Sequence, residues 1–271
     1  MRSELSELLT TAKYAASQAA RVHRAAIQSG KRNVSTKASS ADLVTEVDRE
    51  AEQELVAAIR EARPSDSIVG EEGTNLQGSS GVRWIFDPLD GTTNFVHHYP
   101  AHSVVVGIEI NGERVAGVVY DTSSGRVYAG VVGEGATCDD LPIAVRNENN
   151  LKSALVGTGF LPNSEIRRLQ ADVLGKVLPL VRDIRRSGCP SLDICTVASG
   201  ALDAFYECGL GLWDISAAAA IAEAAGATVL LLDSKALPNP FLIVANAQLM
   251  PSLVDLFAEI GVAEAPGISL G

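Results

Sequence analysis

Apolar residues recur at helical spacing from the start of the chain: Leu5, Leu8, Leu9, Ala12, Ala16, Ala19, Val22 and Ala26 share one face. This spacing predicts one amphipathic helix from about Ser3 to Gln28, stopped by Gly30. A polar loop rich in Ser, Lys and Thr follows, from Lys31 to Ala41. Thr45 then offers an N-cap, and Val47, Ala51, Leu55 and Ile59 mark the inner face of a second helix that stops before Pro64. Ser67-Ile68-Val69 reads as a short strand running into Gly70-Glu71-Glu72-Gly73. A Gly/Ser-rich loop leads on to Trp84-Ile85-Phe86, a buried strand expected to end at Asp87.

Val104 to Ile110 and Arg114 to Tyr120 are apolar runs joined at Asn111-Gly112, a strong hairpin signal. A third strand near Arg126 to Val131 completes an antiparallel meander. Past about Asn150 the pattern changes to alternating strands and helices over Ala154–Thr158, Ser164–Val181, Ser191–Ser199, Ala204–Glu207, Asp214–Ala225 and Thr228–Leu232. The expectation is a single α/β domain with two lobes, 1–150 and 151–271. No internal repeat interrupts it. The apolar stretch from Ile215 to Leu232 does not read as a membrane span, because Asp214 opens it, Glu223 interrupts it and Gly226 breaks it.

Composition sharpens this in three ways. Hydrophobic residues make up 46% of the 271 and aromatics only 5%, so the core must be built from Ala, Val, Leu and Ile. The formal net charge of −11 disfavours a nucleic-acid partner, and Arg182, Arg185 and Arg186 read as a solvated helix end. Cys138, Cys189, Cys195 and Cys208 form neither a C-x-x-C pair nor a secreted framework, and Met1 to Leu5 shows no signal-peptide character, which sets the expectation of reduced thiols in a cytoplasmic protein. His97, His98 and His102 invite a zinc reading. Pro100 disrupts the helical spacing that His98 and His102 would need, so all three are expected at a rim or dimer contact.

The chemistry concentrates in Trp84-Ile85-Phe86-Asp87-Pro88-Leu89-Asp90-Gly91-Thr92-Thr93-Asn94-Phe95. An apolar strand delivers Asp87, Pro88 restricts the entry, and Gly91 permits a backbone conformation closed to other residues. Such a turn can aim Asp87 and Asp90 at one point and expose the Leu89 carbonyl, three oxygen donors suited to Mg²⁺. Thr92, Thr93 and Asn94 then open a short helix whose N–H groups and dipole offer an anion site. The plain alternative is an Asx/Pro/Gly turn that only joins strand to helix. Asp214 is by default a helix N-cap, but Trp213 before it and the small residues Ser216 to Ala220 suggest a helix packed closely on the sheet with its N-terminus at the site. Glu71 and Glu72 are otherwise solvated loop charges.

Asp87 to Phe95 resembles the D-P-[IL]-D-G-T-x-N-F signature of the inositol monophosphatase family. Trp213-Asp214 opens a stretch similar to its second signature. Gly70-Glu71-Glu72 resembles its G-E-E element, and Lys37 through Asp42-Leu43-Val44-Thr45 to Asp48 resembles its mobile N-terminal segment. The resemblance implies an αβαβα sandwich, a homodimer and two to three Mg²⁺ ions. It implies Glu71, Asp87 and the Leu89 carbonyl as ligands of one ion, and Asp87, Asp90 and Asp214 as ligands of another. Glu71 and Thr92 match the pair that positions and deprotonates the attacking water, with Asp48 nearby and Lys37 in a lid loop. Substrate contacts are implied at Glu71, Leu89, Asp90, Gly91, Thr92, Thr93, Gly188, Cys189, Pro190, Glu207 and Asp214. A phosphate monoester dianion repels hydroxide, and two metals about 3.5–4 Å apart both generate the nucleophile and stabilise the leaving alkoxide. Ser216, the early Glu223 and the short Leu232–Phe241 segment depart from the family pattern and bear on substrate choice. The expected activity is hydrolysis of inositol monophosphate. Fructose 1,6-bisphosphate, adenosine 3′,5′-bisphosphate or histidinol phosphate are the alternatives, and a regulatory binding protein that keeps the fold is the rival of another class.

Overall fold

The computed structural model describes residues 2–29, 34–36 and 43–262. In chain order the elements are α1 (Arg2–Ser29), β1 (Val34–Thr36), β2 (Leu43–Thr45), α2 (Glu46–Ala62), β3 (Ser67–Gly70), β4 (Asn75–Leu76), β5 (Val82–Asp90), α3 (Thr92–Val96), β6 (Ser103–Ile110), β7 (Glu113–Asp121), β8 (Val127–Val131), β9 (Gly135–Cys138) and β10 (Leu141–Ile143). They continue with β11 (Leu155–Thr158), α4 (Ser164–Val177), β12 (Asp183–Arg185), α5 (Pro190–Ala198), β13 (Ala204–Cys208), α6 (Leu212–Ala224), β14 (Ala227–Leu232), β15 (Phe241–Asn246) and α7 (Met250–Glu259). An eight-stranded sheet runs in the order β10-β9-β8-β7-β6-β5-β3-β4, and a five-stranded sheet in the order β12-β11-β13-β15-β14.

The layers follow from which face each strand buries. Along β6, Val104, Val106 and Ile108 face one way and pack with Ala12, Ala16 and Ala19 of α1 and Leu55 and Ile59 of α2. Val105, between them, faces the other way and joins Leu192 and Ile194 of α5 and Ala217, Ala218 and Ile221 of α6. Helices α5 and α6 also cover one face of the small sheet, through Phe205, Leu242 and Val244. Its outer face packs Tyr206, Phe241 and Ile243 against Val173 and Val177 of α4 and Leu253 and Phe257 of α7. The result is the layered αβαβα sandwich: α1/α2, large sheet, α5/α6, small sheet, α4/α7.

Helix α6 lies unusually close to the large sheet because three strands present glycine beneath it. Gly107, Gly117 and Gly130 are direct cross-strand partners on β6, β7 and β8. A Cβ at Gly107 would sit 2.0 Å from Ser216 Oγ, one at Gly117 2.3 Å from the Ala217 carbonyl oxygen, and one at Gly130 2.9 Å from Ile221 Cα. Ser216 to Ala222 are buried throughout, as a helix sandwiched between two sheets must be.

Several expectations are corrected. The Lys31–Ala41 loop contains β1, which pairs antiparallel with β2. Strand β5 does not stop at Asp87 but continues to Asp90. Helix α4 stops at Val177, and Leu178–Leu180 is a 3₁₀ turn containing Pro179. Arg185 lies in the edge strand β12 and not at a helix end. Helix α6 begins two residues before Asp214. The Asn111-Gly112 hairpin forms as expected, with φ of 53° and 86°, the signature of a type I′ turn. Among the described residues no helix is long and apolar enough to cross a membrane.

Two Gly→Ala substitutions should move stability in opposite directions. Gly117→Ala forces a methyl against backbone and should destabilise by roughly 1–3 kcal/mol. Gly175→Ala, in α4 with nothing within 4 Å of its added Cβ, should stabilise by about 0.5–1 kcal/mol. Denaturant unfolding of both variants against the parent measures the pair.

Candidate active site

In a regular strand, residues three apart point to opposite faces, so Asp87 and Asp90 would diverge. They do not, because β5 carries one extra residue between them. Asp87 pairs with Val105 and Asp90 with Ser103, three steps on β5 against two on β6. Pro88 fits this bulge because it has no N–H to leave unpaired. The Leu89 N–H donates to Asp87 Oδ1 at 2.8 Å, closing the turn. Gly91 follows at φ 85°, where a Cβ would meet the Ala101 carbonyl oxygen at 2.7 Å. Thr92 Oγ1 donates to the Leu89 carbonyl at 3.0 Å.

Helix α6 brings the third acid. Asp214 occupies its first turn and accepts the Gly211 N–H through Oδ2 at 2.7 Å, so it caps the helix while facing the bulge. Asp87, Asp90 and Asp214 each offer a carboxylate oxygen within 4.8 Å of the others. Glu71, just past β3, adds to them: its N–H donates to the Phe86 carbonyl at 3.2 Å, and its carboxylate shares a hydrogen bond with Asp87. The loop that carries Glu71 is held by Glu52 of α2. Its carboxylate accepts the Glu72 N–H at 2.9 Å, the Thr74 N–H at 3.0 Å and the Thr74 hydroxyl at 2.5 Å.

Burial and mutual repulsion raise the proton affinity of these acids. Asp87 is pushed well above the carboxylate range by burial first, then by Glu71, Asp90 and Asp214. Asp214 is raised to about 8 by burial, then by Asp90 and Glu71. Asp90 is raised by burial despite hydrogen bonds from Ser191 and Cys189 that oppose the shift. A hard divalent cation fits such a set, because all its donors are oxygens and its carboxylates repel one another.

The start of α5 closes the site from the second sheet. Asp90 Oδ2 accepts the Ser191 N–H at 2.9 Å, the Ser191 hydroxyl at 2.5 Å and the Cys189 thiol at 3.0 Å. Gly188 is at φ 89°, with its α-carbon face 3.1 Å from Asn94 Oδ1 as measured from an added Cβ, and Pro190 is the first residue of α5. Asn94 Nδ2 ties α3 to this segment by donating to the Ser187 carbonyl at 2.9 Å. Glu207 of β13 is buried and raised well above its ordinary value by burial, then by Asp214, Asp193 and Asp90; its Oε2 has no protein partner. Gly159 leaves room for that carboxylate, since a Cβ there would meet it at 2.1 Å and displace it.

The structure thus gathers Glu71, Asp87, Leu89, Asp90, Gly91, Thr92, Gly188, Cys189, Glu207 and Asp214. Thr93 is exposed on α3, a helix of five residues that contributes little dipole. Asp48 is buried in the first turn of α2, and its neighbour Val47 packs with Leu89 and Phe95. Lys37 lies outside the described residues. His97 and His98 are exposed as expected, but His102 is buried and belongs to no rim. All four cysteines are free thiols, and burial pushes Cys189 well above its ordinary pKa, so it is no nucleophile. The sequence reading missed Ser191, Glu52 and Asp193, the last buried and raised to about 7 mainly by burial. A serine directly after a helix-opening proline was the one local signal for Ser191.

The sequence profile of the inositol monophosphatase family matches residues 4–261. The chain belongs to the inositol monophosphatase family. It is 41% identical over 231 residues to an inositol-1-monophosphatase of Mycobacterium bovis, covering 82% of this chain and 79% of that one. It is 40% identical over 198 residues to a Pseudomonas aeruginosa protein named Nus factor SuhB, covering 69% and 72%. The solved inositol monophosphatase from Anabaena superposes with a TM-score of 0.81 at 29% identity, covering 99% of this chain and 100% of that one. Family membership supports a phosphatase, and the layered sandwich is the fold these relatives share.

The shifted acids set a pH dependence for the metal-free protein. Their folded pKa values lie above their unfolded ones, so the folded state binds more protons between the two. Their contribution to stability is fully present below the ordinary carboxylate pKa of about 4 and is lost as pH rises through about 8, the value for Asp214. The melting temperature in chelator should fall across that window, and a divalent cation should remove the fall.

Proposed function

We propose that this chain is a Mg²⁺-dependent phosphomonoesterase acting on a small polyol phosphate, with inositol monophosphate as the first substrate to test. The observation that supports this most is the meeting of Asp87, Asp90 and Asp214 within 4.8 Å beside Glu71. Glu71, Asp87, the Leu89 carbonyl, Asp90 and Asp214 would hold two to three Mg²⁺ ions. When bound, such ions lower the pKa of a water and neutralise charge on the phosphoryl group and the leaving oxygen.

The chain's own residues do the rest. Thr92 holds a proton at Oγ1, now directed at the Leu89 carbonyl, and passes one from the attacking water to Glu71 as general base. Asp48, buried beside the Leu89–Phe95 contact, supports that path. The N–H groups of Thr92 and Thr93, first in α3 and without helical partners, receive phosphate oxygens. Glu207 Oε2, buried without a protein donor, accepts a substrate hydroxyl, which favours a polyol. Gly188, Cys189 and Pro190 line the same side. Neither a cysteine nor a histidine is set as a nucleophile, so water attacks directly. A homodimer, a cytoplasmic location and the absence of a nucleic-acid partner belong to the same proposal.

The Nus factor name of the Pseudomonas relative favours one second reading, a regulatory protein that keeps the fold. In that role the acids would be dispensable. A panel of about ten phosphate esters, assayed for phosphate release with and without Mg²⁺ and Li⁺, separates the two. Inositol monophosphate should be cleaved only with Mg²⁺, and millimolar Li⁺ should inhibit. Asp87→Asn should abolish release, and Thr92→Val should lower kcat by about 10²–10⁴-fold. An unimpaired Asp87→Asn enzyme refutes the metal assignment.

A further inference from the structure

His23 lies in the C-terminal part of α1, fully buried, and no step above uses it. Its Nε2 is 3.0 Å from the Pro88 carbonyl oxygen, and its Nδ1 is 3.0 Å from Thr122 Oγ1. The same hydroxyl is 2.7 Å from His102 Nδ1. Phe95 packs against both imidazoles, with ring centroids 5.5 Å from His23 and 5.2 Å from His102, and the two imidazoles lie 6.3 Å apart, edge to face.

These contacts fix the proton on His23. A carbonyl only accepts, so Nε2 of His23 carries hydrogen. Burial, and then the neighbouring His102, lower the His23 pKa to about 3, so the ring is neutral and Nδ1 is bare. Nδ1 of His23 can therefore only accept, and the donor in its reach is the Thr122 hydroxyl, which also lies 3.2 Å from the His102 carbonyl oxygen. The Thr122 oxygen in turn accepts from Nδ1–H of His102. With the Thr122 proton on the His23 side, the chain runs from His102 through Thr122 and His23 to Pro88.

The end of that chain matters because of which peptide it reaches. The Pro88 carbonyl and the Leu89 N–H are the two polar edges of one planar unit. His23 holds the carbonyl edge, and the N–H edge donates to Asp87 Oδ1 at 2.8 Å. Turning the peptide breaks both bonds, so holding the carbonyl also holds the Asp87 carboxylate in rotation and anchors the N-terminal side of Leu89, whose own carbonyl accepts from Thr92 Oγ1. We propose that His23 is a positioning residue of the reaction centre, which pins the Pro88–Leu89 peptide at the end of the His102–Thr122–His23 chain and so presents Asp87 and the Leu89 carbonyl to a divalent cation. This rests on the reading of Asp87 as a metal ligand.

The test uses the whole protein, stripped of metal and titrated with Mg²⁺ in a calorimeter. His23→Leu should weaken Mg²⁺ binding by about 10-fold, with the substrate KM at saturating Mg²⁺ unchanged. His23→Gln, whose amide can donate to the Pro88 carbonyl, should recover most of the affinity. Long-range ¹H–¹⁵N spectra of the wild type should show His23 as the Nε2–H tautomer at neutral pH and through the ordinary histidine range. Should His23→Leu fail to fold, Thr122→Val carries the test: it removes the donor to Nδ1 and should both weaken Mg²⁺ binding and change the His23 nitrogen signals. An Nδ1–H tautomer or an imidazolium at neutral pH overturns the proposal. So does a folded variant that binds Mg²⁺ as the wild type does. A wild type that binds no Mg²⁺ overturns the metal reading of Asp87 first, and this proposal with it.

Discussion

Everything at the candidate site depends on how closely one helix lies on one sheet. Asp87 and Asp90 come from β5 of the large sheet, and Asp214 comes from α6, more than a hundred residues later. Their carboxylates meet only because α6 rests its backbone on Gly107, Gly117 and Gly130, with Ser216 and Ala217 offering equally little bulk from the helix side. A methyl group anywhere on that row would lift the helix. Protein interiors are close-packed, so a helix lifted at its docking face cannot be accommodated by slack elsewhere. Lifted, Asp214 would no longer lie within reach of the other two acids.

The second constraint is local to β5. Period-two alternation would send Asp87 and Asp90 to opposite faces, and the extra residue at Pro88-Leu89 cancels it. The bulge then has to be held in place from both sides. The start of α5 does so at Asp90 through Ser191 and Cys189, and the Leu89 N–H does so at Asp87. The same arrangement leaves several acids buried beside one another with raised proton affinities, which costs stability in the isolated chain. Crowded acids of this kind are expected where a bound cation, not the fold, offsets the repulsion.

Elements with a clear period were legible along the chain. The α1 and α2 stripes, the Asn111-Gly112 hairpin and the small-residue helix all appear where the pattern places them. Strand β15 was not assigned, because Phe241 to Ala245 is buried on both faces and such a run has no alternation to read. The edge strand β12 has three residues, too few to show a period, and Arg185 with its flanking Arg182 and Arg186 suggested a solvated helix end. The end of β5 was misplaced because Pro88 signals a stop, whereas here it marks a bulge within a continuing strand.

By itself the sequence determined the local chemistry: the acids at 71, 87, 90 and 214, the glycine at 91 with its positive φ, and the helices and strands that carry them. These follow from residue type and spacing within a few neighbours, and short-range sterics decide them. Only the tertiary structure decided which distant groups share a space: Ser191 on Asp90, Glu52 under the Glu71 loop, His23 on the Pro88 carbonyl, and the row of glycines under α6. No local pattern encodes those contacts, because each joins segments whose approach is set by how two sheets and the helices between them pack.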